Sequence, residues 1–336
     1  MKRMGKILAL AALLTAAVGL MCGCGLTDYI YDDAEKYTAG NAVLTETISN
    51  VDIDWLDGSV TVMYGDRVSV SETSKKALQE MDLLRWWVDG DTLRVRYAEY
   101  GHHTYENMEK HLTVTLPAAV IPEMQVHTAS GSVRLDRMAV KNLKVNTASG
   151  SVTALCAAEN ADMTTASGKV EWTDEGVSVP GLTAAALKLQ VTTASGDVSL
   201  RIGRQVSEAS IHTASGGFGA VLGSVSQLEV KTASGGVALQ ADSLGNGSVN
   251  TASGAVNLTV RDTAEQLDVK TASGGITLTI GPNLGMTADI GSSSGRITDA
   301  LGMRQDNGHD VYGDGHARVT LHTSSGNINV EPWKEI

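Results

Sequence analysis

Three carboxylates beside an aromatic residue are the strongest candidates for catalysis in this sequence. Glu171, Asp174 and Glu175 surround Trp172. A pair of carboxylates at a defined separation can hydrolyse a glycosidic bond, one acting as the acid and the other as base or nucleophile. Charged residues in an insertion are more often simply solvated. We therefore favour a solvated loop here and keep a polysaccharide-active enzyme as the less favoured alternative.

A metal site is the second chemistry that the residue types suggest. The stretch from Asp306 to His316 contains His309 and several carboxylates, all of them groups that bind zinc. It also contains the turn-forming pair Asn307-Gly308, which favours a plain polar hairpin. The other histidines outside the repeats lack metal-ligand spacing: His102, His103 and His111. The repeats also lack the aspartates of calcium-binding solenoids, so we expect neither a metal nor a cofactor.

Hydroxyl side chains recur in the tetrapeptide Thr-Ala-Ser-Gly. It begins at Thr128, Thr147, Thr165, Thr193, Thr213, Thr232, Thr251 and Thr271, and decayed copies span Ser292–Gly295 and Thr323–Gly326. Most copies are spaced about 20 residues apart, which is typical of a stacked repeat architecture. Outward rows of threonine would resemble an ice-binding surface. The alternation of apolar and polar residues places threonine with the buried valines instead.

The residues around the tetrapeptide predict its local structure. The positions five residues before and two residues after each glycine are apolar and mostly β-branched, as suits a strand. The alternation shifts by one residue at Ser-Gly, so we predict a corner there, with glycine adopting positive φ or closely approaching the next rung. The corner residues are Ser130, Gly131, Ser149, Gly150, Ser167, Gly168, Ser195, Gly196, Ser215, Gly216, Ser234, Gly235, Ser253, Gly254, Ser273, Gly274, Ser294, Gly295, Ser325 and Gly326.

These elements predict an all-β fold, a single-chain parallel β-solenoid of about ten rungs of ~20 residues with an irregular N-terminal cap. A stack of this kind would form a rod about 48 Å long, with a right-handed coil as the expected sense. We expect the inward threonine hydroxyls to form a ladder along the stack, and the serines to bond backbone groups at the corners.

The N-terminus predicts export. Lys2, Arg3 and Lys6 precede a short apolar stretch, which is typical of a secretory signal and too short for a membrane-spanning helix. The segment resembles a bacterial lipoprotein signal with Cys24 as the lipidated residue, and Cys22 or cleavage without lipid are the alternatives. Cleavage before Cys24 would leave only Cys156, which we expect to be a buried residue.

Four segments follow from these patterns. Residues 1–23 form the signal, 24–40 an acidic tether, 41–123 an irregular β-rich cap and 124–332 the repeat solenoid. Val51 to Val62 predicts an irregular first rung. The clearest hairpin signal runs from Leu84 to Val88, through Asp89-Gly90-Asp91, and back from Leu93 to Tyr97.

The charge excludes some partners. The full chain carries a formal charge of −12, and loss of three basic residues with the signal would take this to −15. An acidic body will not bind nucleic acid, and we expect it to stand off anionic membrane surfaces. The sequence carries no signal for an oligomeric state.

The chain resembles a known family at three places. These are Ile53-Asp54-Trp55 through Gly58-Ser59-Val60, Leu112 to Pro117, and the serial Thr-Ala-Ser-Gly-x-Val. Together they resemble the bacterial β-strand-repeat family described as putative adhesins, formerly a domain of unknown function. The resemblance spans roughly Ala39 to Pro332. It implies a β-solenoid at the cell surface and brings no catalytic residues.

Two functions fit the predicted solenoid and its export signal. The first is a non-catalytic cell-surface lipoprotein, anchored to the outer face of the cytoplasmic membrane, that presents insertion loops and exposed tryptophans to a protein or glycan. The second is an envelope structural or stress-response component that acts through other membrane proteins. Two insertions of about ten residues interrupt the repeat, between Trp172 and Lys188 and between Thr298 and Arg318. Because the repeat itself is structural, we expect specific binding at these insertions and at the N-terminal cap.

Overall fold

The structure is a computed structural model that describes residues 29–102, 108–117, 120–174, 177 and 186–334. Its regular elements are β-strands and two single-turn 3-10 helices, Ala34–Lys36 and Glu80–Asp82. The chain divides into two compact units, an N-terminal unit that ends at Ala185 and a C-terminal unit that begins at Ala186. No helix among the described residues is both long and apolar enough to cross a bilayer.

The described part of the N-terminal unit contains twelve strands. They are β1 (Thr38–Ala39), β2 (Ala42–Leu44), β3 (Asn50–Trp55), β4 (Ser59–Tyr64), β5 (Val68–Thr73), β6 (Arg85–Asp89), β7 (Thr92–Arg96), β8 (His111–Leu116), β9 (Val120–Thr128), β10 (Ser132–Thr147), β11 (Val152–Thr165) and β12 (Val170–Thr173).

Thirteen strands lie among the C-terminal unit's described residues. They are β13 (Leu187–Thr193), β14 (Val198–Ile202), β15 (Val206–Thr213), β16 (Phe218–Thr232), β17 (Val237–Thr251), β18 (Val256–Thr271), β19 (Ile276–Ile280), β20 (Met286–Ser292), β21 (Ile297–Asp299), β22 (Arg304–Asp306), β23 (His309–Tyr312), β24 (Ala317–Thr323) and β25 (Ile328–Pro332).

A regular rung is one long strand, as β16, β17 and β18 show. Each pairs in parallel with the next, from Phe218 opposite Val237 to Thr232 opposite Thr251. Every residue therefore lies beside the same position of the neighbouring repeat. The register shifts once between Ala241 and Ser243, and the strand continues on both sides of that shift. The predicted parallel β-solenoid of ~20-residue rungs is confirmed.

The core of each unit is formed by the repeated apolar positions. Val237 and Val249, on the two sides of one rung, are 1% and 0% exposed. The same holds for the equivalent positions of the other described copies, with two exceptions in the decayed copy that starts at Ser292. Ile290 is half-buried there and Ile297 is 45% exposed, because that copy lies at the end of a stack.

The tetrapeptide separates successive strands. The threonine ends a strand, the alanine and serine form a bend, and the next strand starts two residues after the glycine, or one residue after it for β10. The threonines are buried and the serines are exposed. Threonine lies inward as the sequence alternation predicted, and the serine two residues later faces outward because the chain already bends at alanine.

Each buried threonine bonds its own corner. Its Oγ1 accepts the N–H of the glycine three residues on, at 2.8 to 3.0 Å in eight copies. Some of these hydroxyls also donate to a glycine carbonyl, as Thr323 does to Gly274 at 3.1 Å. The predicted hydroxyl-to-hydroxyl ladder is therefore wrong, because the backbone within each corner satisfies the hydroxyl first.

The corner glycines are required by close approach and not by positive φ. A Cβ on Gly235 would lie 1.8 Å from the carbonyl oxygen of Gly216, and most other copies give 1.8 to 2.0 Å. The described glycines with positive φ are all outside the ten corners. Of the two alternatives that the sequence left open, contact with the next rung is the one observed.

The first strands of the N-terminal unit are not stacked in chain order. β9 lies beside β3, with Thr128 opposite Trp55, and β3 lies beside β7. On the other side, β4 lies between β10 and β8. The segment expected to be the first rung is therefore the second, and strands from later in the chain form the outermost rung.

Antiparallel strands cover this outermost rung. β6 pairs with β7 and β1 with β6 on one side, while β5 pairs with β8 and β2 with β5 on the other. The hairpin predicted around Gly90 is confirmed by the β6–β7 pair. Added antiparallel strands close a sheet edge that would otherwise remain open.

The last repeats of the C-terminal unit are also out of order. Thr271 lies opposite Thr323, and Thr323 lies opposite Ser292 on its other edge. Likewise, Ile328 lies between Ile276 and Ile297. The final copy in the sequence is thus inserted between its two predecessors. β23 pairs antiparallel with β20 and β22 with β23, which covers part of the end.

Candidate binding surface

Two outward rows of polar side chains run across neighbouring rungs of the C-terminal unit. The first row is Glu208, Gln227, Asn246 and Gln266, and the second is Ser210, Glu229, Ser248 and Asp268. Successive members lie directly opposite each other in the parallel register. The residues between the two rows, such as Leu228 and Leu267, point inward and are buried. We call these eight outward side chains the polar face.

The polar face lines an open groove of about 550 Å³. Ala209, Leu228 and Gly247 form part of its floor. Amides, hydroxyls and carboxylates line the groove, so it offers hydrogen-bond donors as well as acceptors. Parallel strands repeat every 4.7 to 4.9 Å or so, which sets the spacing of these groups along the stack.

His212, Lys231 and Lys270 form a charged row that borders the polar face. His212 Nε2 lies 3.2 Å from Glu229 Oε2, and Lys231 pairs with the other oxygen of Glu229. Burial opposes ionisation of Glu229, but hydrogen bonds from Lys231 and His212 hold its pKa below the ordinary value. Lys270 pairs with Asp268 in the same way. These contacts give the carboxylates of Glu229 and Asp268 defined orientations.

A second, shallower groove of about 400 Å³ follows the corners of the same unit. Its lining is made mostly of small residues such as Gly217, Gly236 and Ala255. Asp197 is the carboxylate in this lining, and its Oδ1 accepts the Gly217 N–H at 2.7 Å. This groove therefore offers far fewer free polar groups than the polar face.

The carboxylates around Trp172 do not form an open cleft. Trp172 is 2% exposed, and its indole N–H donates to the Cys156 carbonyl oxygen at 2.8 Å. Glu171 is paired with Lys169, and Asp174 is buried. Glu175 lies outside the described residues. The aromatic ring that suggested a sugar-active site is a core residue, and Cys156 is buried as expected.

The histidine-rich loop forms a hairpin. β22 and β23 pair across Asn307-Gly308, both of which have positive φ as a tight turn requires. Within the described ranges, no three or more His, Cys, Asp or Glu side chains are grouped so as to hold a metal ion. His102 lies 2.8 Å from Asp82, and His111 lies 2.8 Å from Ser59 Oγ. His103 lies outside the described residues.

The cap contains a buried charged centre that the sequence did not suggest. Lys110 is fully buried, with its Nζ 2.8 Å from Glu72 Oε2, and it donates to the carbonyl oxygens of Asp82 and Tyr97. The Tyr97 ring centroid lies 4.3 Å from the ammonium group. Burial lowers the pKa of Lys110, and the charge of Glu72 opposes that shift. This lysine thus links Glu72 to the segments that contain Asp82 and Tyr97, which are separate in the sequence of the cap.

The five tryptophans do not form an exposed recognition surface. Trp55 and Trp172 are buried, and Trp86, Trp87 and Trp333 are half-buried. The expected display of exposed tryptophans is therefore wrong, because these rings pack against strands or cations. Lys36 Nζ, for instance, lies 4.7 Å from the centroid of Trp87. The signal segment and Cys24 lie outside the described residues.

The polar face was not predicted, although the sequence carries a signal for it. Its first row stands eight residues before successive repeat glycines, as Gln227 does before Gly235 and Asn246 before Gly254. Its second row stands six residues before them. When the repeats are aligned on their glycines, the outward positions of the sequence carry the signal for both rows.

Parallel rungs with buried threonine corners and an outward polar face define a repeat-built β-solenoid. The chain belongs to the Toastrack DUF4097 family, which it matches over residues 48–178 and again over residues 181–331. The sequence-based resemblance to a family of β-strand-repeat proteins described as adhesins is thereby confirmed. The second match starts close to the boundary between the two units.

Solved structures with similar chains come from bacteria. One is described as a putative adhesin from Parabacteroides distasonis, 11% identical, covering 89% of this chain and 97% of that one, with a TM-score of 0.35. Another is described as a putative adhesin from Bacteroides fragilis, 11% identical, covering 89% and 98%, with a TM-score of 0.31. A third is described as a putative cell adhesion protein from Clostridium sporogenes, 9% identical, covering 89% and 100%, with a TM-score of 0.20. No curated protein matches the chain.

Proposed function

We propose that this protein is a non-catalytic binding protein of the adhesin type, exported and held on the outer face of the bacterial cytoplasmic membrane by lipid on Cys24. The polar face binds a hydroxyl-rich ligand, such as a glycan of the cell envelope or of a surface that the cell contacts. No cofactor takes part. The anchor follows from the signal-like N-terminus, and the binding role from the surface described above.

The polar face is the observation that carries this proposal. Sugar hydroxyls donate and accept hydrogen bonds at short intervals, and the groove presents amides, carboxylates and hydroxyls in register over four rungs. Orientation is fixed on strands rather than on loops, which reduces the entropy lost on binding. The Glu229 carboxylate is already engaged by His212 and Lys231, which suits a role in positioning more than in proton transfer.

The test is binding of the purified chain to a panel of immobilised neutral and acidic polysaccharides. A variant with Gln227→Ala, Asn246→Ala and Gln266→Ala removes the amides of the groove. If each contributes about 1 kcal/mol, affinity for the polysaccharide should fall by about a hundredfold.

The matched control replaces two outward asparagines of the N-terminal unit, Asn142→Ala and Asn160→Ala. Their side chains hydrogen-bond each other at 2.9 Å and are exposed, so affinity should not change. Equal loss in both variants would contradict a specific site. Absence of glycan binding, together with crosslinking on intact cells that captures only envelope proteins, would replace the proposal with the envelope role.

A further inference from the structure

Exposed apolar side chains gather where the described chain begins. Ile30 is 64% exposed, Met81 is 44% exposed and Tyr100 is 49% exposed. Their backbones are linked, since Gly101 N–H donates to the Tyr29 carbonyl oxygen at 2.8 Å and Glu99 N–H donates to the Met81 carbonyl oxygen at 3.1 Å. We call Ile30, Met81 and Tyr100 the entry patch.

Tyr29 holds the entry patch firmly to the cap. Its side chain is buried, its hydroxyl donates to the Asp54 carbonyl oxygen at 2.9 Å, and the Tyr97 N–H donates to it at 3.1 Å. The next aromatic residue, Tyr31, packs on Tyr29 and on Tyr100 with ring centroids 5.4 and 5.8 Å away. The chain therefore enters the folded body at a fixed point beside the patch.

The length of chain before Tyr29 limits how far the patch can be from the membrane. Only residues 25–28 lie between the proposed lipid anchor at Cys24 and Tyr29, so five Cα-to-Cα steps separate the two. A fully extended chain of this length reaches about 18 Å at most. The entry patch must therefore remain near the headgroups whenever the lipid is inserted.

We propose that the entry patch lies in the interface of the bilayer that carries the lipid anchor, so that the cap docks on the membrane instead of standing off it. This rests on the proposed anchor. An aliphatic, a thioether and a tyrosine side chain suit the boundary between headgroups and acyl chains. Because the lipid anchor and the patch belong to one chain, the contact is intramolecular and a small patch suffices.

Charge around the patch selects the lipid. Asp32, Asp33, Glu80 and Glu99 are exposed carboxylates of the same region, and they outnumber Lys36 and Arg85. Arg85 is already close to Glu99, at 3.4 Å. Anionic headgroups would be repelled, so the contact is with zwitterionic or neutral headgroups.

The experiment uses the full lipidated protein in phosphatidylcholine vesicles, with single cysteines carrying an environment-sensitive fluorophore. Ile30→Cys and Met81→Cys report on the patch, and Ile297→Cys, 45% exposed in the C-terminal unit, is the control. The remaining free cysteine, Cys156, is buried and should not be labelled. Brominated acyl chains should quench about half or more of the emission at positions 30 and 81, and little at 297, because interfacial side chains reach 5 to 10 Å or so into the boundary.

Several results would overturn the proposal. Equal emission with and without bromine at positions 30 and 81, in protein that still floats with the vesicles, would leave the anchor intact and remove the patch from the membrane. Protein that fails to float would remove the anchor and the contact together. Protection only in native membranes, and not in lipid vesicles, would assign the patch to a membrane protein. Ile30→Asp should weaken quenching of the label at position 81, which would support the contact.

Discussion

At the scale of single residues, the threonine, serine and glycine of the tetrapeptide have different structural roles. Threonine is buried and accepts the N–H of its own glycine, serine faces solvent, and glycine permits the next rung to lie close. Thr232 and Gly235 illustrate this, with an Oγ1 to N distance of 2.9 Å. Identical corners can stack because each satisfies its own backbone before it meets its neighbour.

A β-carbon at a corner should separate two rungs. Gly235→Ala would place Cβ 1.8 Å from the Gly216 carbonyl oxygen, and we expect a loss of about 3 kcal/mol or more in the free energy of unfolding. Gly219→Ala is the control, since nothing lies within 4 Å of its Cβ position. Urea denaturation measures both variants, and similar stabilities would contradict the close-approach explanation.

Removing one corner hydroxyl should leave a buried donor without a partner. Thr232→Val keeps the shape of the side chain but deprives the Gly235 N–H of its acceptor, at an expected cost of about 1 to 3 kcal/mol. Ser234→Ala, on the exposed neighbour, should stay within about 0.5 kcal/mol of the parent chain. Thermal unfolding of the two variants tests this difference, and equal effects would argue against a role for the inward hydroxyl.

At the scale of elements, in-register strands turn a repeated position into a row. The inward rows form the core, while the outward rows form the polar face and the charged row beside it. Glu229 contacts both His212 and Lys231 because residues one rung apart and two positions apart on a strand converge on the same side. The row is a property of the sheet and not of any one strand.

Acid should weaken the contacts that Glu229 makes with the charged row. The pKa of Glu229 lies below its ordinary value of 4.5, so its contribution is fully present above that value and is lost as pH falls through the lower, folded-state pKa. Glu229→Gln should therefore be less stable than the parent chain at pH 6, by no more than about 1 kcal/mol because the pair is partly exposed.

The difference between these two proteins should shrink as the pH approaches 3. Denaturation curves collected at several pH values measure it. A difference that stays constant with pH would show that the contacts with His212 and Lys231 carry no net electrostatic stabilisation.

At the scale of the whole molecule, each of the two units ends in strands that depart from chain order. In the N-terminal unit, β3 lies between β7 and β9, both of which follow it in the chain. In the C-terminal unit, the copy starting at Thr323 lies between those starting at Thr271 and Ser292. Antiparallel strands then cover the outermost rung. The segment between Thr298 and Arg318, where the repeat is interrupted, supplies β22 and β23 to cover the end of the C-terminal stack.

Crosslinking tests the order of the final rungs. Thr277 lies opposite Asn329, and Asn329 lies opposite Thr298 on its other edge. Thr277→Cys with Asn329→Cys should form a disulfide, because paired strands bring Cα atoms to about 5 Å. Thr277→Cys with Thr298→Cys should not, since two rungs separate them by about 9.6 Å. Crosslinking of the second pair alone would show that the repeats stack in chain order.

The sequence by itself determined the parallel solenoid, its period and the burial of valine and threonine. These depend on a short pattern that repeats at each rung, so that every copy reports the same local preference. The lipid anchor, the four segment boundaries and the handedness of the coil stay predictions. Residues such as Val230 and Thr232 could be placed inward from alternation alone.

Only the tertiary structure decided how the stacks end and which polar residues meet. The order of the terminal rungs depends on which edge a strand finds after a long connection, and no local pattern records that choice. Lys110 gives no signal in sequence because its partners, Glu72, Asp82 and Tyr97, come from separate segments. The Thr-Ala-Ser-Gly period implied that outward residues form rows, but their joint chemistry became visible only when the register aligned Gln227, Asn246 and Gln266.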